Sequence, residues 1–190
     1  MTNRFALFDT PLGRSAIVWR EDAIQRTLLP ERDAATTLQL VQRMFPDAVI
    51  AEPDGPIAAA ADGMRSLLEG GREDLRDAPL DMSGLDRFSV AVYEALRAVG
   101  PGQTITYGAL AERAWAPGAA RAVGVALGRN PFPIIVPCHR VLAAGGRTGG
   151  FSAPGGVVTK LEILTRERAR VGETPGLFDD LGLPLSLRRR

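Results

Sequence analysis

Ile134-Ile135-Val136-Pro137-Cys138-His139-Arg140-Val141 holds the only cysteine and the only histidine of the chain, side by side. The apolar run before them reads as a short buried strand, which Pro137 stops from pairing further. On that reading the thiol sits at the end of a rigid mount, as a nucleophile that must meet one substrate atom requires. Singly, a free cysteine is usually a small buried hydrophobe and a lone histidine a satisfied structural group. Together they have a chemical reading. Thiolate is the reactive form of sulfur, and imidazole is the usual neighbour that takes its proton. Adjacent side chains rarely face each other in regular structure, so the pair needs a tight turn or a bridging water.

Upstream, Phe88, Val92, Leu96 and Val99 recur at helical spacing, and Gly100-Pro101-Gly102 stops that helix. Thr106 is a good N-cap for a helix running to about Ala114, and Pro117-Gly118 turns into another from Ala119 to Leu127. Two short helices joined this way make a helix-turn-helix candidate. The second is alanines and glycines around Arg121, a surface that lets its backbone come close to a narrow partner. Tight helix packing would explain the alanines but not the arginine. Tyr107, at a helix start, is expected to be exposed. Arg129-Asn130-Pro131 closes the second helix, and the Asn130 amide can tie two backbone segments. Downstream, residues 143–152 read as a flexible glycine-rich loop, and Lys160 to Glu167 as a last helix with Leu161 and Leu164 inward.

At the N-terminus, Arg4 to Thr10, Ser15 to Trp19 and Ala23 to Leu29 read as a meander of strands. Helices are expected from Ala34 to Phe45, capped by Asp33, and from Ile57 to Glu69. Residues 72–84, charged and proline-containing, read as a linker. The expected organisation is a supporting α/β part over 1–84, a functional part over 85–168 and a loosely held tail over 169–190.

The chain has 190 residues, 45% of them hydrophobic, enough for a sizeable core. No apolar run approaches a membrane span, and Met1-Thr2-Asn3-Arg4 does not open a signal peptide. One cysteine excludes an internal disulfide and a multi-cysteine zinc cluster, and a thiol that must stay reduced fits a cytoplasmic protein. The net charge of +1 hides an asymmetry. Residues 1–84 carry nine arginines against fourteen acids, whereas residues 85–168 carry ten basic residues against five acids. The half with the cysteine is the basic one, as a polyanion-facing surface should be. Lys160 is the sole lysine; arginine, which grips phosphate bidentately, supplies the rest.

Pro137-Cys138-His139-Arg140-Val141, preceded by Gly128-Arg129-Asn130-Pro131, resembles the active-site signature of the O6-alkylguanine-DNA alkyltransferases, the methylated-DNA–protein-cysteine methyltransferases. The similarity is dense from about Leu85 to Glu167. It implies an RNase-H-like N-terminal module, a small antiparallel sheet plus helices, bracing a mostly helical C-terminal domain with a helix-turn-helix. It also implies DNA repair by direct reversal. Cys138 would take the alkyl group from O6-alkylguanine, or from O4-alkylthymine, irreversibly and once per molecule.

The resemblance assigns residue roles too. His139 would take the thiol proton through water, Glu167 would orient the imidazole, and Asn130 would act as a hinge. Arg121 would fill the space of an everted nucleotide in the minor groove, while Tyr107 crowds the 3′ phosphate and helps rotate the base out. Gly124 and Arg129 fall on the same DNA-facing surface. Tyr107, Leu127, Val141, Phe151 and Ser152 would line the alkylguanine pocket. Ser152 would donate to O6, and the Cys138 and Val141 carbonyls would take the exocyclic amine. Phe151 stands where many relatives carry tyrosine, and Ala153-Pro154 looks like an insertion. No cofactor or metal is implied; the expected partner is double-stranded DNA, met by a monomer with no membrane. Two rivals from other classes are a helix-turn-helix regulator with an incidental cysteine and a Cys-His hydrolase. The first lacks side chains to read bases, and the second lacks its family signature.

Overall fold

The computed structural model describes residues 2–169 of the chain; the tail expected beyond Ala169 lies outside the described residues. Strands β1 (Arg4–Thr10), β2 (Gly13–Arg20) and β3 (Ala23–Leu28) form the expected antiparallel meander, with a bulge at Val18/Trp19. A fourth strand, β4 (Val49–Ile50), pairs parallel with β1, so the sheet runs β3-β2-β1-β4 and is mixed rather than antiparallel. Two residues are too few to show alternation in a sequence. Ala16, Ile17, Val18 and Trp19 of β2 are all buried, because α1 (Ala34–Met44) and α2 (Gly55–Glu69) cover opposite faces. Asp33 caps α1 by accepting from the Thr36 N–H at 2.7 Å.

The C-terminal half holds α3 (Arg87–Arg97), β5 (Ile105–Thr106), α4 (Tyr107–Arg113), α5 (Ala120–Gly128), β6 (Val141–Leu142) and α6 (Val157–Arg166). Helix limits fall within two residues of the sequence expectation, except that α6 starts at Val157, three residues before the expected Lys160. Thr106 caps α4 through the Ala109 N–H at 3.2 Å, and Tyr93 of α3 donates its hydroxyl to the Ala126 carbonyl of α5 at 2.8 Å. β6 pairs parallel with β5, placing the residues after the cysteine beside the start of α4.

One apolar core runs through both halves, from Ile17, Trp19 and Met64 to Leu96, Leu110, Phe132 and Ile163. Residues 72–84 are more than a spacer. Leu75, Leu80 and Met82 pack on that core, and Arg97 donates to the carbonyls of Arg76 and Ala78. The outer edge of β3 is fastened twice. Ile24 exchanges backbone bonds with Pro79 and Asp81 at 2.7 and 2.9 Å. Thr27 donates its N–H to the Pro131 carbonyl at 3.0 Å and its hydroxyl to the Pro133 carbonyl at 2.9 Å. A sheet edge that would otherwise be open thereby braces the segment leading to the cysteine.

That segment is not the expected strand. Pro133 and Val136 bridge to each other, and the chain turns tightly at Ile134, whose φ is +76°. Prolines at 131, 133 and 137 leave too few N–H groups for a ladder, and an apolar run buried all round has no period to read. Among the described residues no helix is long and apolar enough to cross a membrane.

Candidate active site

Cys138 opens a single 3-10 turn, Cys138–Arg140, directly after the buried 132–136 turn. A left-handed isoleucine is strained. Asn130 holds it in place, donating from Nδ2 to the Val136 carbonyl and accepting at Oδ1 from the Phe132 N–H, both at 2.9 Å. The mount is therefore rigid, as expected, but made of a clamped turn.

The tight turn sends His139 and Arg140 inward, where both are buried. His139 Nε2 meets Glu167 Oε1 at 2.9 Å. A carboxylate only accepts, so Nε2 carries the proton and Nδ1 is left as the acceptor. Nδ1 is buried and has no protein partner among the described residues. Arg140 grips the same carboxylate with Nε at 3.0 Å and Nη2 at 2.7 Å, and donates Nη1 to the Val99 carbonyl at 2.6 Å. Burial alone would raise the Glu167 carboxyl, but His139 and Arg140 outweigh it and hold it at about 2. Burial pushes His139 below its usual value despite Glu167, so the imidazole is neutral. Gly102 completes the nest. At φ +77°, a Cβ there would lie 3.1 Å from the Glu167 carbonyl oxygen.

Lys160, from α6, is a residue that sequence reasoning passed over. It is fully buried and donates Nζ to the Val141 carbonyl at 2.5 Å. Burial lowers its ammonium to about 8, partly countered by Cys138. Burial also pushes the Cys138 thiol up, while the Asn130 side chain and then the Lys160 charge pull it back. Arg140 was equally unassigned. The available signals were that one is the sole lysine and the other lies inside the motif.

Cys138 is only partly covered, and it lines an open cleft of about 310 Å³ with Tyr107, Gly124, Leu127, Phe151 and Ser152. That volume is at the small end of ligand pockets, fit for one heterocycle. Arg129, Asn130 and Ala153-Pro154 border the sulfur on a second side, facing Arg26 of β3. Gly149, at φ +66°, lets the loop close on Tyr107, since a Cβ there would lie 3.1 Å from the ring. Val141 is not among the residues lining the cleft: its side chain is in the core, and its carbonyl accepts from the buried Lys160. Arg121 is exposed on α5, outside the cleft.

A chain that presents one sulfur in a base-sized cleft, backed by a buried His–Glu pair, matches known proteins closely. Residues 87–169 match the family model for the 6-O-methylguanine DNA methyltransferase, DNA binding domain. A methylated-DNA–protein-cysteine methyltransferase of Mycobacterium tuberculosis is 37% identical over 155 residues, covering 80% of this chain and 92% of that protein. The chain belongs to the methylated-DNA–protein-cysteine methyltransferase family. Its fold follows suit. Mycobacterium tuberculosis OGT, solved in complex with DNA, superposes with a TM-score of 0.68 at 31% identity, covering 90% of this chain and 96% of that one. A DNA base-flipping protein of Thermus thermophilus is 41% identical over 124 residues, 62% of this chain and 81% of that protein. The single cysteine of this family member lines the cleft together with Tyr107, Gly124, Leu127, Phe151 and Ser152.

Proposed function

We propose that this protein repairs alkylated DNA by direct reversal, moving the alkyl group of O6-alkylguanine onto Cys138. The observation that carries this is the partly covered Cys138 lining a cleft of one-base size, with a neutral imidazole beside it held by a carboxylate. The O6 atom of a paired guanine lies inside the duplex, so the nucleotide must be turned out before sulfur can reach the carbon. Arg121 fills the space it leaves, on a small-residue helix that comes close to the minor groove, and Tyr107 crowds the strand from the start of α4. On this reading α4 and α5 act as a helix-turn-helix.

In the cleft, Phe151 stacks on the base and Ser152 donates to O6. The Val141 carbonyl keeps one lone pair beside its Lys160 bond, enough to take the exocyclic amine with the Cys138 carbonyl. The thiol proton passes through a bridging water to His139 Nδ1 as sulfur attacks the alkyl carbon. A C–S bond forms as the C–O bond breaks, and the electron pair leaves with the guanine, which takes up a proton. Burial raises the resting thiol, so a base at hand is needed to take its proton. The product thioether has no route back to thiol, so each molecule acts once. No cofactor enters. The RNase-H-like N-terminal part, 1–84, acts as a brace for the catalytic part, 85–168, through Thr27. A cytoplasmic monomer on duplex DNA fits this chemistry.

The test is transfer of label from duplex DNA carrying labelled O6-methylguanine. Stoichiometric label on the wild type and none on Cys138→Ala is expected; label on both, or on neither, refutes the reading.

A further inference from the structure

Trp115 occupies the turn between α4 and α5 with 93% of its surface exposed. Its N–H donates to the Glu112 carbonyl at 3.0 Å, and the Ala116 N–H to the Ala111 carbonyl at 2.9 Å. This pair of bonds is the Schellman ending of a helix, which puts residue 115 in the left-handed region, at φ +58°. Glycine suits such a position, because a side chain crowds the neighbouring carbonyl. A bulky aromatic is therefore unfavourable twice, once for the backbone and once for its contact with water. Among the described residues the indole makes no hydrogen bond that would offset this. A local rule broken without internal compensation points outward.

What lies around it names the partner. Arg113 and Arg121 are both exposed on either side of the turn, and α5 continues the surface with exposed Ala122, Val125, Gly128 and Arg129. From Arg113 to Leu161 the chain has five arginines and Lys160 but no aspartate or glutamate. Glu112, one turn before Trp115, is the one exposed acid beside this stretch, and the arginines outnumber it; an exposed aromatic beside them fits a polyanion with apolar rings, which is a nucleic-acid backbone.

We propose that Trp115 is a DNA-docking residue that lays its indole against a deoxyribose of the duplex seated on α5, next to Arg121. The apolar face covers the sugar, and Nε1–H donates to a neighbouring phosphate oxygen. Such a contact carries no base information and strengthens binding to any duplex. This rests on the DNA-repair reading above, and it predicts a share of the affinity that the cleft and Arg121 do not supply.

The experiment compares the wild type with Trp115→Gly, the residue that the backbone geometry favours and one that preserves the helix ending. Trp19, the other tryptophan, is 1% exposed, so the solvent-exposed emission belongs to Trp115. Unmodified duplex should shift or quench that emission in the wild type and leave Trp115→Gly unchanged. The variant's Kd for duplex should rise about fivefold or more at fixed salt, in the range of a single aromatic contact. Label transfer from duplex at sub-saturating DNA should slow by a similar factor relative to transfer from the free modified base. Equal Kd values, or emission indifferent to DNA, overturn the assignment. So does emission that shifts with protein concentration alone, which would give the indole to a second copy of the chain. Failure of label transfer by both proteins would instead strike the repair reading, and the binding comparison would still judge Trp115.

Discussion

At the scale of the residue, the site turns on which groups carry charge when the substrate arrives. Glu167 is held ionised by Arg140 as well as by His139, so the imidazole is oriented without being forced to take up the proton itself. This leaves His139 neutral, and in the proposed mechanism its Nδ1 receives the thiol proton. Lys160 is a buried cation whose charge favours the thiolate of Cys138, and it also holds the Val141 carbonyl. Lys160→Met should therefore raise the pH midpoint of thiol alkylation by iodoacetamide by about one unit, and slow DNA-dependent transfer at neutral pH about tenfold. An unchanged midpoint would reduce Lys160 to a clamp on the loop.

At the scale of the element, α5 divides its residues between the core, the cleft and an exposed face, which on the proposed reading separates recognition from chemistry. Val123, Ala126 and Leu127 face the core, Gly124 and Leu127 reach the cleft, and Arg121 stays outside with the exposed residues. Arg121→Ala should slow transfer from duplex about tenfold more than transfer from the free modified base, since only the duplex must be opened. Equal losses on the two substrates, measured by single-turnover label transfer, would remove the finger role. The clamped turn at 132–136 is the other element that matters. It replaces a strand with a strained isoleucine held by Asn130, and so aims three consecutive residues in different directions. Cys138 faces the cleft while His139 and Arg140 face the buried carboxylate.

At the scale of the whole molecule, the buried His–Glu–Arg cluster links the fold to pH. His139 has a folded value below 6.5, so it binds its proton more readily when unfolded. Its contribution to stability is complete above pH 6.5 and declines as the pH falls toward the folded value. Glu167, lowered from 4.5 to about 2, adds a second loss that begins below 4.5 and runs down toward 2. With a single histidine in the chain, the first loss belongs to His139 alone. The slope can reach about 1.4 kcal/mol per pH unit. Urea unfolding should show stability falling over the unit below pH 6.5 in the wild type and flat in His139→Gln. A wild type flat from pH 7 to 5 would contradict the buried neutral imidazole.

The sequence by itself determined most of the parts. Amphipathic spacing, caps and glycine stops marked out the meander and the helices within two or three residues, since these signals are local. The Cys-His motif and its neighbours likewise named the candidate site residues, leaving their roles to be proposed. Local pattern could not reach β4, which is too short, nor the turn at Ile134, where uniform burial erases any period. It also left Arg140, Lys160 and Trp115 silent. The value of a charge depends on what buries it, and the meaning of an exposed indole depends on which surface it adjoins. The tertiary structure alone decided that Thr27 braces the cysteine turn, that one carboxylate serves both His139 and Arg140, and that a buried lysine holds the carbonyl of Val141. Those contacts join residues far apart in the chain, and only packing through the shared core brings them within bonding distance.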